Sequence, residues 1–153
     1  MDLQLRDRVI VITGGTSGIG AATALALARE GACPVMMGLD ALPLQLSDDL
    51  QQAGVRFSHH TVDLRDHERV ATIVDSIVTE YGRIDGLVNN AGVNDRVGLS
   101  AGPAAFSASL ERNLVHYYTM AHFIVPHLIK TQGAIVNVAS KTALTGQGDT
   151  SGY

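Results

Sequence analysis

The sequence predicts an α/β fold: one doubly wound parallel sheet, strand order 3-2-1-4-5, covered by helices on both faces in a three-layer α/β/α arrangement. Three observations carry this prediction. Short β-branched apolar runs recur along the chain, and each is closed by a turn residue. Helical stretches alternate with them. A glycine-rich turn joins the first run to the first helix. Runs that are apolar at every position are strands buried on both faces, as parallel sheets require. The strand–helix rhythm, repeated to a fifth strand, implies right-handed crossovers.

The elements follow in order. Val9-Ile10-Val11-Ile12 is the first strand, and a helix spans about 18–30. Gly20, Ala24 and Ala28 recur every four residues, which gives that helix a smooth face for close approach to the sheet. Gly31 stops it. Val35-Met36-Met37 is the second strand, followed by a helix over about 42–53. Residues 56–60 form a short third strand that closes at Thr61-Val62-Asp63-Leu64. Val70, Ile73, Val74, Ile77, Val78 and Tyr81 make one apolar stripe, the clearest helix in the chain, and Gly82 ends it. Residues 84–88 form the fourth strand. A long helix is expected over about 104–130, with a bend near Pro126, and 134–138 is the fifth strand.

Composition narrows the function. The 153 residues fit one domain, 1–153, with 46% apolar and 17% charged residues. A net charge of −4 gives no electrostatic case for nucleic acid or an anionic membrane surface. No run reaches the roughly 18 apolar residues of a membrane-spanning helix. Residues 1–8 carry charges of both signs and do not read as a secretory signal, so the expected location is the cytoplasm. Cys33 is the sole cysteine, which excludes an internal disulfide and fits a reducing compartment. His116, His122 and His127 are offset by six and five residues, so they do not share a helix face, and no metal site is expected.

The turn Thr13-Gly14-Gly15-Thr16-Ser17-Gly18-Ile19-Gly20 lies between the first strand and the first helix. Glycines there allow positive φ and let backbone approach a ligand with no Cβ in the way. The amides of the helix N-terminus then face an anion such as a dinucleotide's diphosphate. The spacing differs from the commonest G-x-G-x-x-G, and a glycine turn without a ligand would look alike in isolation. Its position, directly after the first strand and opening a small-faced helix, favours the nucleotide and a Rossmann-type sheet. The adenosine ribose is expected at the end of the second strand, about 20 residues onward. There stands Gly38-Leu39-Asp40. Asp40 is the candidate acceptor for a 2′-hydroxyl, which favours NAD over NADP; the alternative is that Asp40 begins a solvated loop.

Thr13-Gly14-x-x-x-Gly18-x-Gly20, Asp63-Leu64, Asn89-Asn90-Ala91-Gly92, Asn113, and Ser140 with Tyr153 together resemble the short-chain dehydrogenase/reductases, in order and spacing across essentially the whole chain. The resemblance implies an NAD(P)-dependent oxidoreductase that acts on a secondary alcohol or carbonyl. It implies that Gly14, Thr16, Ser17, Gly18, Ile19 and Gly20 hold the diphosphate, that Asp63 bonds the adenine amino group with Leu64 beside the ring, and that Asn89, Ala91 and Gly92 close against a ribose. Ser140 would hold the substrate oxygen, Tyr153 would move its proton, and Asn113 would fix a water in a proton relay. Free tyrosine titrates near 10, so such a base needs a neighbouring positive charge. In the family this is a lysine four residues after the tyrosine, beyond the last residue here; neither Lys141 nor Lys130 is a natural replacement. The family's C-terminal part also lies beyond residue 153: if 1–153 is the entire molecule, weak or no turnover and an exposed apolar sheet edge are expected, and if it is part of a longer enzyme the catalytic assignment stands. A full-length relative is expected to be a homodimer or homotetramer.

Asn94-Asp95, the run Ser109-Leu110-Glu111-Arg112-Asn113-Leu114 with His116-Tyr117-Tyr118, and Thr145-Gly146-Gln147-Gly148 look similar to sugar dehydrogenases of the L-fucose dehydrogenase type. Asn94, Asp95 and Gln147 are then the expected hydrogen-bonding partners of a polyol, the alternative being solvated loop residues. A nucleotide-binding module that performs no chemistry is the competing function.

Overall fold

The computed structural model describes residues 3–153. Its elements are β1 (Val9–Thr13), α1 (Gly18–Arg29), β2 (Cys33–Gly38), α2 (Leu44–Gln52), β3 (Ser58–Thr61), α3 (His67–Tyr81), β4 (Gly86–Asn89), α4 (Gly102–Leu110), α5 (His116–Thr131), β5 (Ala134–Asn137) and α6 (Thr142–Thr145). A 3-10 turn at Leu99–Ala101 precedes α4, and a π turn at Glu111–Val115 joins α4 to α5. The strands pair in the order β3-β2-β1-β4-β5, every pair parallel. Among the described residues no helix is long and apolar enough to cross a membrane.

Alternation along β1 builds the three layers. Val9 and Val11 point to one face with Val35, Met37 and Leu87, where Val70, Val74 and Ile77 of α3 and Met120, Ile124 and Leu128 of α5 cover them. Ile10 and Ile12 point to the other face with Met36, under Ala24 and Ala28 of α1 and Leu46 and Leu50 of α2. Ile12, Met36 and Met37 are fully buried. Each such side chain contributes roughly 1.5–3 kcal/mol by its burial. The buried residues of α1 are Gly20, Ala24 and Ala28, as the four-residue recurrence predicts.

The long helix runs without interruption from Gly102 to Thr131, passing through the π turn and carrying Pro126 inside α5. Within the π turn, Asn113 Oδ1 accepts from the Val93 amide of the loop after β4. Two strand boundaries differ from the sequence expectation. The fourth strand starts at Gly86 rather than 84, because Asp85 is drawn into a cluster: its carboxylate accepts from the Val9 amide (2.9 Å), Arg8 (2.8 Å) and Arg83 (2.6 Å). The third strand begins at Ser58 rather than 56, in register with Val35.

Candidate active site

A cleft of about 1160 Å³ opens where β1, β4 and β5 end, lined by parts of the glycine turn, the ends of β2 and β4, the π turn and the segment after β5. It lies at the switch point of the sheet, where connections leave β1 on one side and return to β4 on the other, the crevice in which doubly wound sheets bind ligands. The sheet topology, more than any one residue, decides this location.

The glycine turn forms the floor. Gly14 has φ +64° and Gly18 φ +51°, conformations that side-chain-bearing residues rarely adopt. A Cβ on Gly20 would collide with the carbonyl oxygen of Gly14, so glycine there lets α1 close on the turn. Helix α1 begins without a side-chain cap, and its first turn carries no acidic residue. Its leading amides are therefore open to an external anion, favoured by the helix dipole. Gly14, Ser17, Gly18 and Ile19 line the cleft; Ile19 is 66% exposed there, an apolar side chain with no protein partner to cover it. Thr16 is buried within the turn and, like Gly20, is not on the cleft wall.

The turn is tied to β4 by residues that spacing alone does not single out. The Thr13 hydroxyl accepts from the amides of Asn90 (2.9 Å) and Ala91 (3.0 Å). The Asn90 side chain donates back to the carbonyls of Thr13 (3.0 Å) and Gly14 (3.2 Å). Asn90, Ala91 and Gly92 line the cleft, whereas Asn89 lies beneath it, donating to Asn137 Oδ1 at 3.0 Å. Of the two asparagines, the structure brings Asn90 to the wall and uses Asn89 to brace β4 against β5. Two adjacent asparagines carry no sequence signal of which does which; the alternation of a strand end decides it.

At one end of the cleft stand Leu39, Asp40, Asp63, Leu64 and Arg65. Arg65 holds the Asp63 carboxylate in a two-pronged ion pair of 2.6–3.1 Å. These bonds, with the Arg65 amide, hold the Asp63 carboxyl down at about 2. Asp40 is exposed, and its carbonyl oxygen lies 3.0 Å from His59 Nε2. His116 also lines this region, almost wholly buried, and burial pushes its imidazole below the usual histidine range.

At the other end stand Asn113, Ser140 and Tyr153, all on the cleft wall with Tyr117 and Lys141. Gly92 sits between two of them: a Cβ there would stand 3.4 Å from Asn113 Oδ1 and 3.8 Å from the Tyr153 ring. The Ser140 hydroxyl oxygen accepts from the Thr142 amide at 3.3 Å, which leaves its proton free to donate. Tyr117 donates to the Val138 carbonyl at 3.0 Å and pins the chain leaving β5. The residues expected to meet a polyol lie elsewhere. Asn94 is exposed and accepts from the Arg96 amide, Gln147 is exposed in the turn before Thr150, and Asp95 is bonded within the protein; none lines the cleft.

The arrangement combines an open helix N-terminus at the floor, two carboxylates at one end and Ser140 with Tyr153 at the other. The family model described as short chain dehydrogenase matches residues 8–153. Among curated relatives, a 3-oxoacyl-[acyl-carrier-protein] reductase of Thermotoga maritima is 31% identical over 99% of this chain and 63% of its own. A probable galactose dehydrogenase of Rhizobium meliloti is 38% identical over 90% of this chain and 55% of its own, and the L-fucose dehydrogenase of Mus musculus 33% identical over 92% and 51%. The crystal structure of an NADH-dependent reductase complexed with NAD superposes with a TM-score of 0.91 at 30% identity, covering 100% of this chain and 68% of that one. The chain spans about three fifths of the length of the first curated relatives it matches.

Proposed function

The chain belongs to the short-chain dehydrogenase family, and from that premise we propose that residues 1–153 are the nucleotide-binding unit of an NAD-dependent oxidoreductase whose substrate is a secondary alcohol of a small sugar. The observation that carries the reading is the uncapped start of α1, free of acidic side chains and opening at the switch point of the sheet. When bound, the nicotinamide supplies the carbon that accepts or gives up the hydride.

The chain's own residues do the rest. Gly14, Ser17, Gly18 and Ile19 present backbone to the diphosphate, with Thr16 and Gly20 shaping the turn behind them. Asp40 accepts from a ribose hydroxyl, and Asp63 keeps lone pairs beyond its ion pair for an adenine amino group. NAD is favoured over NADP because two carboxylates line this end and the neighbouring cation, Arg65, is already spent on Asp63. Leu64 packs beside the adenine. Ala91 and Gly92 lie against the second ribose, and Asn89 supports them from below. Ser140 donates its free proton to the substrate oxygen, Tyr153 moves the proton at that oxygen, and Asn113 holds the relay beside them.

A sugar substrate is supported by the galactose and L-fucose dehydrogenases among the relatives, and by a wall that offers Ser140, Lys141 and Asn137. A cytoplasmic, homo-oligomeric enzyme acting on a free small molecule fits this reading. The test is a screen of L-fucose, D-galactose and related aldoses with NAD+ and NADP+ in the full-length protein, followed by absorbance of the reduced cofactor. Tyr153→Phe should lower turnover by at least about 100-fold with NAD+ affinity little changed. Turnover undiminished in that variant contradicts the assignment, and NAD+ binding without turnover on any alcohol favours a binding module instead.

A further inference from the structure

Asp95 and Ser109 lie behind the site, off the cleft wall, and meet in one directed chain of hydrogen bonds. The Asn113 amide nitrogen donates to Ser109 Oγ at 3.4 Å, and the Ser109 hydroxyl donates to Asp95 Oδ1 at 2.9 Å. Arg112 stands 3.2 Å from Asp95 Oδ2, an ion pair with this nearly buried side chain, and is itself fixed on the Ala108 carbonyl. At the other end, Asn113 Oδ1 accepts from the Val93 amide at 2.7 Å. The Asn113 side chain is thus held from both sides, with its oxygen toward the loop after β4 and its nitrogen toward Ser109.

Ser109 has a second neighbour. It is completely buried, and a Cβ placed on Gly152 would collide with its hydroxyl. Gly152 is itself buried, and Ser151 donates from its amide to the Val97 carbonyl at 2.8 Å, two residues beyond Asp95. The backbone immediately before Tyr153 therefore rests on Ser109 and on the loop that carries Asp95. Three separate parts of the chain converge on one hydroxyl: the loop after β4, the π turn and the segment ending at Tyr153. A serine has no reason of burial to be there, since an alanine would pack equally well; its cost is offset by the two bonds it makes.

We propose that Ser109 is a positioning residue, which with Asp95 fixes the orientation of the Asn113 amide and seats the backbone that presents Tyr153. This rests on the reading of Asn113 and Tyr153 as the reacting end of the cleft. It also gives Asp95 an internal role in place of a direct bond to substrate.

The experiment compares Ser109→Ala, Asp95→Asn and Asp95→Leu with the native full-length protein. In Ser109→Ala, kcat should fall between about tenfold and 100-fold, the cost of a small misplacement at the reacting centre, with the Kd for NAD+ within about twofold. Asp95→Asn keeps an acceptor for Ser109 and should retain most of kcat, whereas Asp95→Leu should match Ser109→Ala. A merely structural role predicts instead that both Asp95 variants track their melting temperatures. Side-chain amide NMR of asparagine-15N-labelled protein, with no cofactor added, reads the same contact separately: the Asn113 amide signal should move in Ser109→Ala and in Asp95→Leu. An unmoved signal, or native kcat in Ser109→Ala, overturns the proposal. Native protein that fails to bind NAD+ while the Asn113 signal still moves would sink the proposed function and leave the network standing.

Discussion

Asp85 is the residue on which the sheet's lower edge depends. Burial alone would push its carboxyl up, but the bonds from Arg83, the Val9 amide and Arg8 outweigh burial and hold it below the usual carboxylate range. Asp85→Ala should therefore destabilise the fold by about 2–3 kcal/mol in urea unfolding, because three donors lose a charged acceptor. The sign with pH follows. A carboxyl depressed in the folded state stabilises fully above about pH 4, its unfolded value, and that stability is lost as pH falls further. Buried His116 acts in the opposite charge sense. Burial lowers its imidazole in the fold, more than the Arg112 carbonyl and Asp63 raise it, so the unfolded chain takes up a proton first as pH drops. Stability should decline from about pH 7 toward pH 5, and His116→Gln should flatten that slope in melting curves at matched salt. Neither residue announces its role in the sequence: Asp85 interrupts an apolar strand until the Val9 amide and Arg8 arrive from a distant segment, and His116 is buried only once its helix packs.

At the scale of elements, local pattern and tertiary packing agree almost everywhere, which is why the strands and most helices were legible. Val9-Ile10-Val11-Ile12 has no polar face in the sequence and is buried at every position in the sheet. The α3 stripe supplies Val70, Ile73, Val74 and Ile77 to the core, and Gly82 adopts φ +76° to stop the helix. The π turn was not legible, since the five residues Glu111–Val115 are too short a stretch for a local shift of period to stand out. Pro126, the visible breaker, is accommodated within α5. The first helix gives a sharp prediction. Gly20→Ala forces the new methyl against the Gly14 carbonyl, so α1 must lift off the turn; both stability and NAD+ affinity should drop, the latter by at least about tenfold. Gly18→Ala meets no protein atom, so its cost in stability is backbone strain at φ +51°, about 1 kcal/mol. Urea unfolding of both variants separates the two effects, and equal losses of stability would contradict the close-packed turn.

For the whole molecule, the sheet order places the glycine turn, Asp63, Asn90, Asn113, Ser140 and Tyr153 around one cleft although they span the chain from end to end. The glycine turn, Asp63, Asn90 and Ser140 were readable because each follows a strand's C-terminal end, where strand order decides who meets whom. The bonds that support them were not: the side chains of Thr13, Asn90, Ser109 and Asp95 bond to backbone or to one another, and such bonds have no fixed spacing. The acidic end of the cleft makes cofactor choice a property of the assembled site. Asp40→Arg should raise NADP+ affinity relative to NAD+ by roughly tenfold, and an unchanged ratio would remove Asp40 from the ribose. The central claim is that the open start of α1 receives a dinucleotide's diphosphate, and titration calorimetry with NAD+ and with ADP-ribose tests it most directly. Saturable one-to-one binding of both ligands, weakened at least about tenfold by Gly14→Val, is the result expected. Absence of binding heat for either ligand in the native protein, or full affinity in Gly14→Val, would contradict it.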